Sequence, residues 1–390
     1  MKISIIPKKI WPARLEFEVV ERKGKGHPDT ICDYIAEATS RALSRYYIEN
    51  FGRILHHNVD KGLLIAGRSS PQFGGGEILE PIRVIIGGRA TLVVDSKEIP
   101  WEEIIREEIK ETLEKNYRFL ELGENVKLEL DLKRGSVDLV GMYEMGEIPK
   151  ANDTSIGVGF YPHTPLEEIV LKSENILNSE EIKNKFPFIG EDIKVLGIRN
   201  GTNVTLIIAC AFVDKFVSSK EDYLEKKRKI EEILWSKVLK KYGYEFNVFI
   251  NTADDPNKDL LYLTVTGTSA ECGDDGCVGR GNRSNGIIAP LRPTSIEAIA
   301  GKNAYSHVGK IYNLLALEIS KRIFHEYGYK NEVILVSQIG RQITDPLAVN
   351  IFVYSREYSV ERMKKVLNEM LDIEVFLEIQ KKVLKGQIVF

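Results

Sequence analysis

An α+β fold of sheets covered by helices is the class this sequence predicts, and three observations predict it. Strand-like runs such as VIIGGRATLVV, NVKLELDL and VTLIIACAFV are interleaved with amphipathic helical stripes, without the regular alternation of a parallel sheet. Strands followed by paired helices recur about three times, although the residues themselves show no repeat. At 390 residues with 43% hydrophobic content, the chain can bury a large core as two or three domains or as one composite unit.

Each element has a local cause. Ile31, Ile35, Ala38, Ala42 and Tyr46 form a helical stripe over Ile31–Tyr47. Val84–Val94 reads as two short strands about a Gly-Gly turn. Pro100 opens an amphipathic helix to about Leu120, with Ile105, Ile109 and Leu113 inward. NVKLELDL alternates as a strand, Leu166–Leu177 is helical, and the segment from Asp192 to Val213 is a hairpin turning at Asn200-Gly201. Ser219 caps a helix carrying Ile230, Ile233 and Val238 and ending at Gly243. LLYLTVTG is a strand before a loop-rich stretch from Thr268 to about Lys302, and Tyr305–Tyr327 is a long helix stopped near Gly328. Two strands, EVILVSQ and AVNIFVY, and two short helices complete the chain. No segment reads as a flexible linker; the acidic loop Asn251–Asp259 is the best candidate boundary and a solvated turn rather than a calcium loop.

Composition excludes some functions. The net charge of -3 lacks the basic surplus of a general nucleic-acid or membrane-surface binder, so a bound polyanion must meet a local cluster of Lys and Arg. Cys32, Cys210, Cys272 and Cys277 are too scattered for a disulfide framework, which points to a reducing cytoplasm. Pro7, Lys8 and Lys9 interrupt the first apolar run before it becomes a signal core, and VTLIIACAFV is too short to cross a bilayer.

Four stretches carry chemistry. In GKGHPDTICD, Pro28 at a first helical position aims free N–H groups and the positive helix end toward the glycines, a setting for phosphate. Lys25 adds charge, His27 can donate a hydrogen bond, and Asp29 is a hard oxygen ligand for magnesium. The ordinary alternative is a capped helix. ECGDDGCVGRGNRSNG sets Asp274 and Asp275 beside Arg280 and Arg283 in a glycine-rich loop, which suits a metal–phosphate complex. Its Cys272-x4-Cys277 pair lacks the second pair or spaced histidines of a zinc site, and a plain mobile loop is the other reading. In AGKNAYSHVGK, Lys302 follows a glycine, and Lys310 and His307 lie about two turns along the next helix on one face. In GSVDLV, comprising Gly135, Ser136, Val137, Asp138, Leu139 and Val140, small residues admit a planar ring and Asp138 can accept from a ribose or an amine.

Taken in order, GKGHPDTICD, GSVDLV, ANDTS, GTSAECGDDGCVGRGNR and AGKNAYSHVGKIYN resemble the S-adenosylmethionine synthetase family in its archaeal branch, over nearly the whole chain. The resemblance implies three similar α+β domains about a pseudo-threefold axis, approximately 1–122, 123–255 and 256–390, with segments exchanged between them. It implies a homodimer with active sites at the interface, in which methionine sulfur attacks C5′ of ATP and the displaced triphosphate is cleaved to pyrophosphate and phosphate. By the same resemblance His27, Arg280 and Lys302 are catalytic, Asp29 binds magnesium, and Asp274 or Asp275, with Asp274 as the assigned ligand, serves a second magnesium ion or the methionine ammonium. Lys25, Gly135–Val140, Asp275, Arg283 and Lys310 bind nucleotide or substrate.

There are departures. Gly281 stands where bacterial members carry a lysine after the loop arginine, which makes Arg283 its candidate substitute. Lys310 is spaced unlike its bacterial counterpart, the interval from Leu120 to Gly135 is too short for the bacterial lid, and the potassium-binding glutamate has no match around Asn58–Asp60. Two other readings use the same pocket: a magnesium-dependent nucleotide or polyphosphate phosphohydrolase, and a non-enzymatic nucleotide-binding regulator.

Overall fold

A computed structural model describes residues 1–135 and 148–387. Three sheets, each with its own apolar core, make up the framework. In the first sheet the order is Gly276–Cys277, His57–Ile65, Ile82–Ala90, Val126–Arg134. The helices Pro28–Phe51 and Trp101–Asn116 cover it, burying Ile31, Ile35, Val84, Ile86, Ile105 and Ile109. The second sheet runs Glu245–Ile250, Asn203–Val213, Ile189–Asn200, Phe17–Lys23, under the helices Pro165–Leu177 and Lys220–Lys237. The third runs Lys2–Pro7, Ala348–Val353, Asn331–Val336, Ile156–Tyr161, under Val308–Tyr327 and the terminal helices Val360–Met370 and Ile373–Leu384. The chain therefore crosses between units repeatedly: its first strand joins the third sheet, its second the second sheet, and Gly276–Cys277 returns to the first.

Helix starts follow their capping chemistry. His27 and His307 each accept the amide of the residue two positions on, Asp29 and Gly309, through Nδ1 at 3.2 Å. Thr164 and Glu167 form a reciprocal capping box with Pro165 in the first turn, and Ser219 caps Lys220–Lys237. The hairpin pairs Asn200 with Asn203, so Gly201 and Thr202 are its loop residues. Among the described residues no helix is long and apolar enough to cross a membrane.

Four expectations are corrected. Ile82–Ala90 is one continuous strand; Gly87-Gly88 is no turn, because a side chain at Gly88 would come within 2.4 Å of the Asn58 carbonyl opposite, where the ladder slips register. The Ser219-capped helix stops at Lys237, and a 3₁₀ turn at Leu239–Lys241 follows. LLYLTVTG contributes only Leu263–Thr264 to a sheet, since the buried Glu271 carboxylate takes the Val265 and Thr266 amides that a strand would give its neighbour. The helix after Lys302 begins at Val308, because Asn303 Oδ1 holds the amides of Tyr305 and Ser306 in a turn, and this puts Lys310 in the first turn.

Candidate active site

The His27-capped helix is the spine of the site. Asp29, Asp33 and Glu37 lie four residues apart, hence on one face, and the glycine-rich segment runs along that face. Asp29 Oδ1 accepts the Cys277 amide at 2.8 Å, Asp33 Oδ1 the Gly279 amide at 2.8 Å, and Glu37 Oε2 the Gly301 amide at 3.1 Å. Ser40 donates to the Lys302 carbonyl one turn further on, at 3.0 Å. Gly276 is glycine for contact: a Cβ there would sit 2.3 Å from the Pro28 carbonyl oxygen at the helix start.

The first two glycines of GKGHPDTICD do not form the expected anion cradle. Gly24 and Gly26 donate their amides to the carbonyls of Ile193 and Glu191, at 2.8 and 3.0 Å, and added side chains would strike that strand. They are strand-packing glycines. Lys25 lies part-buried in the field of Glu191 and Glu174, with burial holding its ammonium below the ordinary lysine range.

His27 is where charge chemistry concentrates. Burial lowers its pKa, while the carboxylates of Asp192, Asp29 and Asp274 oppose that shift. Its Nδ1 accepts the Asp29 amide, so a neutral ring carries its proton on Nε2, a donor held at the helix N-terminus. Asp29 Oδ2 also accepts from Lys23 Nζ at 2.8 Å. Ser269 Oγ lies 2.5 Å from Asp192 Oδ2 and 3.0 Å from Asp274 Oδ2, which ties those carboxylates together. Asp275 faces elsewhere, accepting the Ala66 amide at 2.8 Å. Asp274 and Asp275 are thus separated by function of place.

Arg280 is exposed and, among the described residues, its guanidinium makes no hydrogen bond or ion pair. Arg283 is committed to the loop itself, donating to the carbonyls of Gly279, Gly281 and Ser295. Lys302, 3% exposed, pairs with Asp60 at 2.6 Å and Glu297 at 3.3 Å. Lys310 is completely buried, with Nζ 2.7 Å from both oxygens of Glu37. Gly135 ends the strand Val126–Arg134 against the His56 ring, and Ser136–Val140 lie outside the described residues. The structure therefore brings together His27, Asp29, Asp274 and the Arg280 loop. It sets Lys302 apart: from Asp29 to Ser40 the helix rises roughly 16 Å.

Sequence reading missed Lys23, Asp33, Glu37, Asp60 and Asp192. The four-residue spacing of Asp29, Asp33 and Glu37 was a usable signal, since carboxylates repeated on an otherwise apolar helix face need buried donors. Asp60 and Asp192 come from distant strands and carry no local signature, and Lys23 ends the strand just ahead of Gly24.

Buried histidines give the site's surroundings a pH signature. Burial lowers the pKa of His307 well below the ordinary value and that of His57 to about 3. The unfolded chain takes up these protons below about pH 6.5 and the fold does not, so their contribution is complete above that pH and is lost as pH falls. Asp33 acts oppositely: burial pushes its carboxyl up to about 7, so the fold holds a proton the unfolded chain has released. His57→Gln should therefore flatten the acid limb of stability between about pH 6.5 and 4, by up to about 1.4 kcal/mol per pH unit. Urea midpoints across that range check it; parallel curves for variant and wild type would refute it.

A family profile described as S-adenosylmethionine synthetase (AdoMet synthetase) matches residues 3–387. A protein named S-adenosylmethionine synthase from Hyperthermus butylicus is 48% identical over 390 aligned residues, covering 95% of this chain and 94% of its own. One so named from Aeropyrum pernix is 49% identical over 374 residues, covering 92% of each chain. Among solved structures, an unusual S-adenosylmethionine synthetase from Campylobacter jejuni superposes with a TM-score of 0.61 at 14% identity, over 95% of this chain and 100% of that one; at that identity it speaks for the fold alone.

Proposed function

The chain belongs to the S-adenosylmethionine synthetase family, and from that premise we infer that it transfers the adenosyl group of ATP to the sulfur of L-methionine. Methionine sulfur attacks C5′, the triphosphate leaves intact, and it is then cleaved to pyrophosphate and phosphate. Neither the phosphohydrolase nor the regulator reading finds support among the relatives.

A thioether has no proton to lose, so the first step needs no general base. The difficulty lies in a highly charged leaving group, for which oriented donors and cations are the main resource. The observation that carries the reading is His27: its Nδ1 is fixed by the Asp29 amide, so the proton of the neutral ring sits on Nε2, in the field of Asp192, Asp29 and Asp274. We assign His27 to charge developing on the triphosphate, Arg280 and Lys302 to its phosphate oxygens, and Gly135–Val140 to adenosine or methionine. Arg283 and Lys310, bound to loop carbonyls and to Glu37, support the site from behind.

The family needs a divalent metal; we propose magnesium, two ions, with Asp29 and Asp274 as the protein ligands. The donor chemistry fits: Asp29 and Asp274 are hard oxygen donors brought together beside His27, and magnesium is held by one or two carboxylates plus substrate phosphates. Bound there, it would neutralise phosphate charge. Potassium is left out of the proposal, since the Asp60 carboxylate is engaged by Lys302 and Lys61.

The pseudo-threefold relation is supported by three separately cored sheets, each with a helix begun at or beside a histidine: His27, His163 and His307. The separation of Lys302 from His27 supports a homodimer whose sites draw on both chains. Incubating the purified protein with ATP, methionine and magnesium should yield S-adenosylmethionine, with ATP loss strictly dependent on methionine. ATP hydrolysis without methionine, and no sulfonium product by mass spectrometry, would overturn the reading.

A further inference from the structure

We propose that Asp33 is a positioning residue that fixes the direction of Arg280, with Arg283 and Lys23 as struts of the same cage; the proposal rests on the reading of Arg280 as a triphosphate-binding group. A long cationic side chain between two glycines should be poorly aimed, because Gly279 and Gly281 leave the backbone around Arg280 with unusual freedom. The structure removes that freedom peptide by peptide.

Asp33, one turn beyond Asp29 and 2% exposed, accepts the Gly279 amide at 2.8 Å, in the residue just before Arg280. Gly279 has φ +84°, a backbone state that a side chain would oppose. On the other flank, a Cβ at Gly281 would lie 2.8 Å from Asp33 Oδ2, so both glycines rest against one carboxylate. Arg283 donates to the Gly279 carbonyl and, at 2.8 Å, to that of Gly281. Lys23 Nζ donates to the carbonyl of Arg280 itself at 3.0 Å. Asn282 brackets the Lys23 backbone, accepting its amide at 3.0 Å and donating to its carbonyl at 2.7 Å. Gly279 is thus tied to the helix, Arg280 and Asn282 to the strand Phe17–Lys23, and Gly281 to Arg283, while among the described residues the Arg280 guanidinium has no hydrogen-bond or ion-pair partner.

The chemistry gives this cage a purpose. A donor serves a developing charge best when its orientation is fixed beforehand, and a shift of about 1 Å in such a group can cost on the order of a hundredfold in rate. A carboxylate that had only to stabilise the loop could do so wherever the loop passed; Asp33 holds the Gly279 amide on one side of Arg280 and packs against Gly281 on the other.

The test is a double-mutant cycle in the full-length protein, read as kcat for S-adenosylmethionine formation. Arg280→Ala should lower kcat by roughly a hundredfold or more. Asp33→Ala should lower it by about 30- to 100-fold with KM for methionine within about twofold, and Asp33→Asn, whose amide oxygen still accepts the Gly279 N–H, by no more than about fivefold. In the Arg280→Ala background, Asp33→Ala should cost less than about threefold, because the group it positions is gone. Multiplying effects would overturn the positioning role while leaving Arg280 as a substrate-binding residue. A kcat for Arg280→Ala within about twofold of wild type would overturn both the role of Arg280 and this inference. If Asp33→Ala does not fold, Gly281→Ala replaces it: its Cβ presses on Asp33 Oδ2, and the same coupling to Arg280→Ala is expected.

Discussion

His27→Ala is expected to lower kcat by roughly 10²- to 10³-fold while KM for ATP stays within about threefold. The argument is one of timing. The triphosphate is charged before and after the C–O bond breaks, but the bridging oxygen acquires its charge only as the bond breaks, and a donor placed there acts on the transition state alone. His27 is proposed for that task because its Nδ1 is held by the Asp29 amide at 3.2 Å and burial favours its neutral ring. Removing the imidazole also removes a helix cap, worth about 1 kcal/mol, so a melting curve must accompany the kinetics. Steady-state rates with varied ATP decide the matter. Equal losses in kcat and in ATP affinity would mean that His27 binds ground state and transition state alike.

Lys310→Met is expected to destabilise the fold by about 3–5 kcal/mol, the largest effect on stability anticipated here. Lys310 and Glu37 are both buried, and Glu37 uses both oxygens on the ammonium and one of them also on the Gly301 amide. Burial alone pushes the Lys310 pKa down; the Glu37 carboxylate resists that shift and keeps the pair viable. Removing the cation strands a buried carboxylate, whereas Glu37→Leu combined with Lys310→Met should recover most of the loss. Denaturant unfolding at neutral pH measures both. A Lys310→Met protein of undiminished stability but weakened ATP binding would return Lys310 to direct phosphate contact.

Most elements of the fold were legible because their causes are local. Periodicity marked Val126–Arg134 as a strand and Trp101–Asn116 as a helix, and capping residues such as Ser219 and Gly328 marked helix ends. The failures share a cause of the opposite kind. Gly87-Gly88 resembles a turn until the Asn58 carbonyl is seen across the ladder, and LLYLTVTG resembles a strand until Glu271 is seen capturing its amides. In both, a group outside the segment itself, the Asn58 carbonyl across the ladder or the Glu271 carboxylate in the loop that follows, decides the outcome.

The site divides in the same way. By itself the sequence determined the family, the reaction and the residue types at stake, because a histidine, paired aspartates and glycine-flanked arginines in fixed order limit the chemistry. Only the tertiary structure decided which of those groups are available. It commits Lys310 to Glu37, Arg283 to loop carbonyls and Asp275 to the Ala66 amide, leaves the Arg280 guanidinium without a partner among the described residues, and draws in Lys23, Asp33 and Asp192. The reason is physical: a side chain's identity fixes what it can bond, but a buried charge or amide takes the nearest partner, and nearness is set by how three sheets and their helices pack.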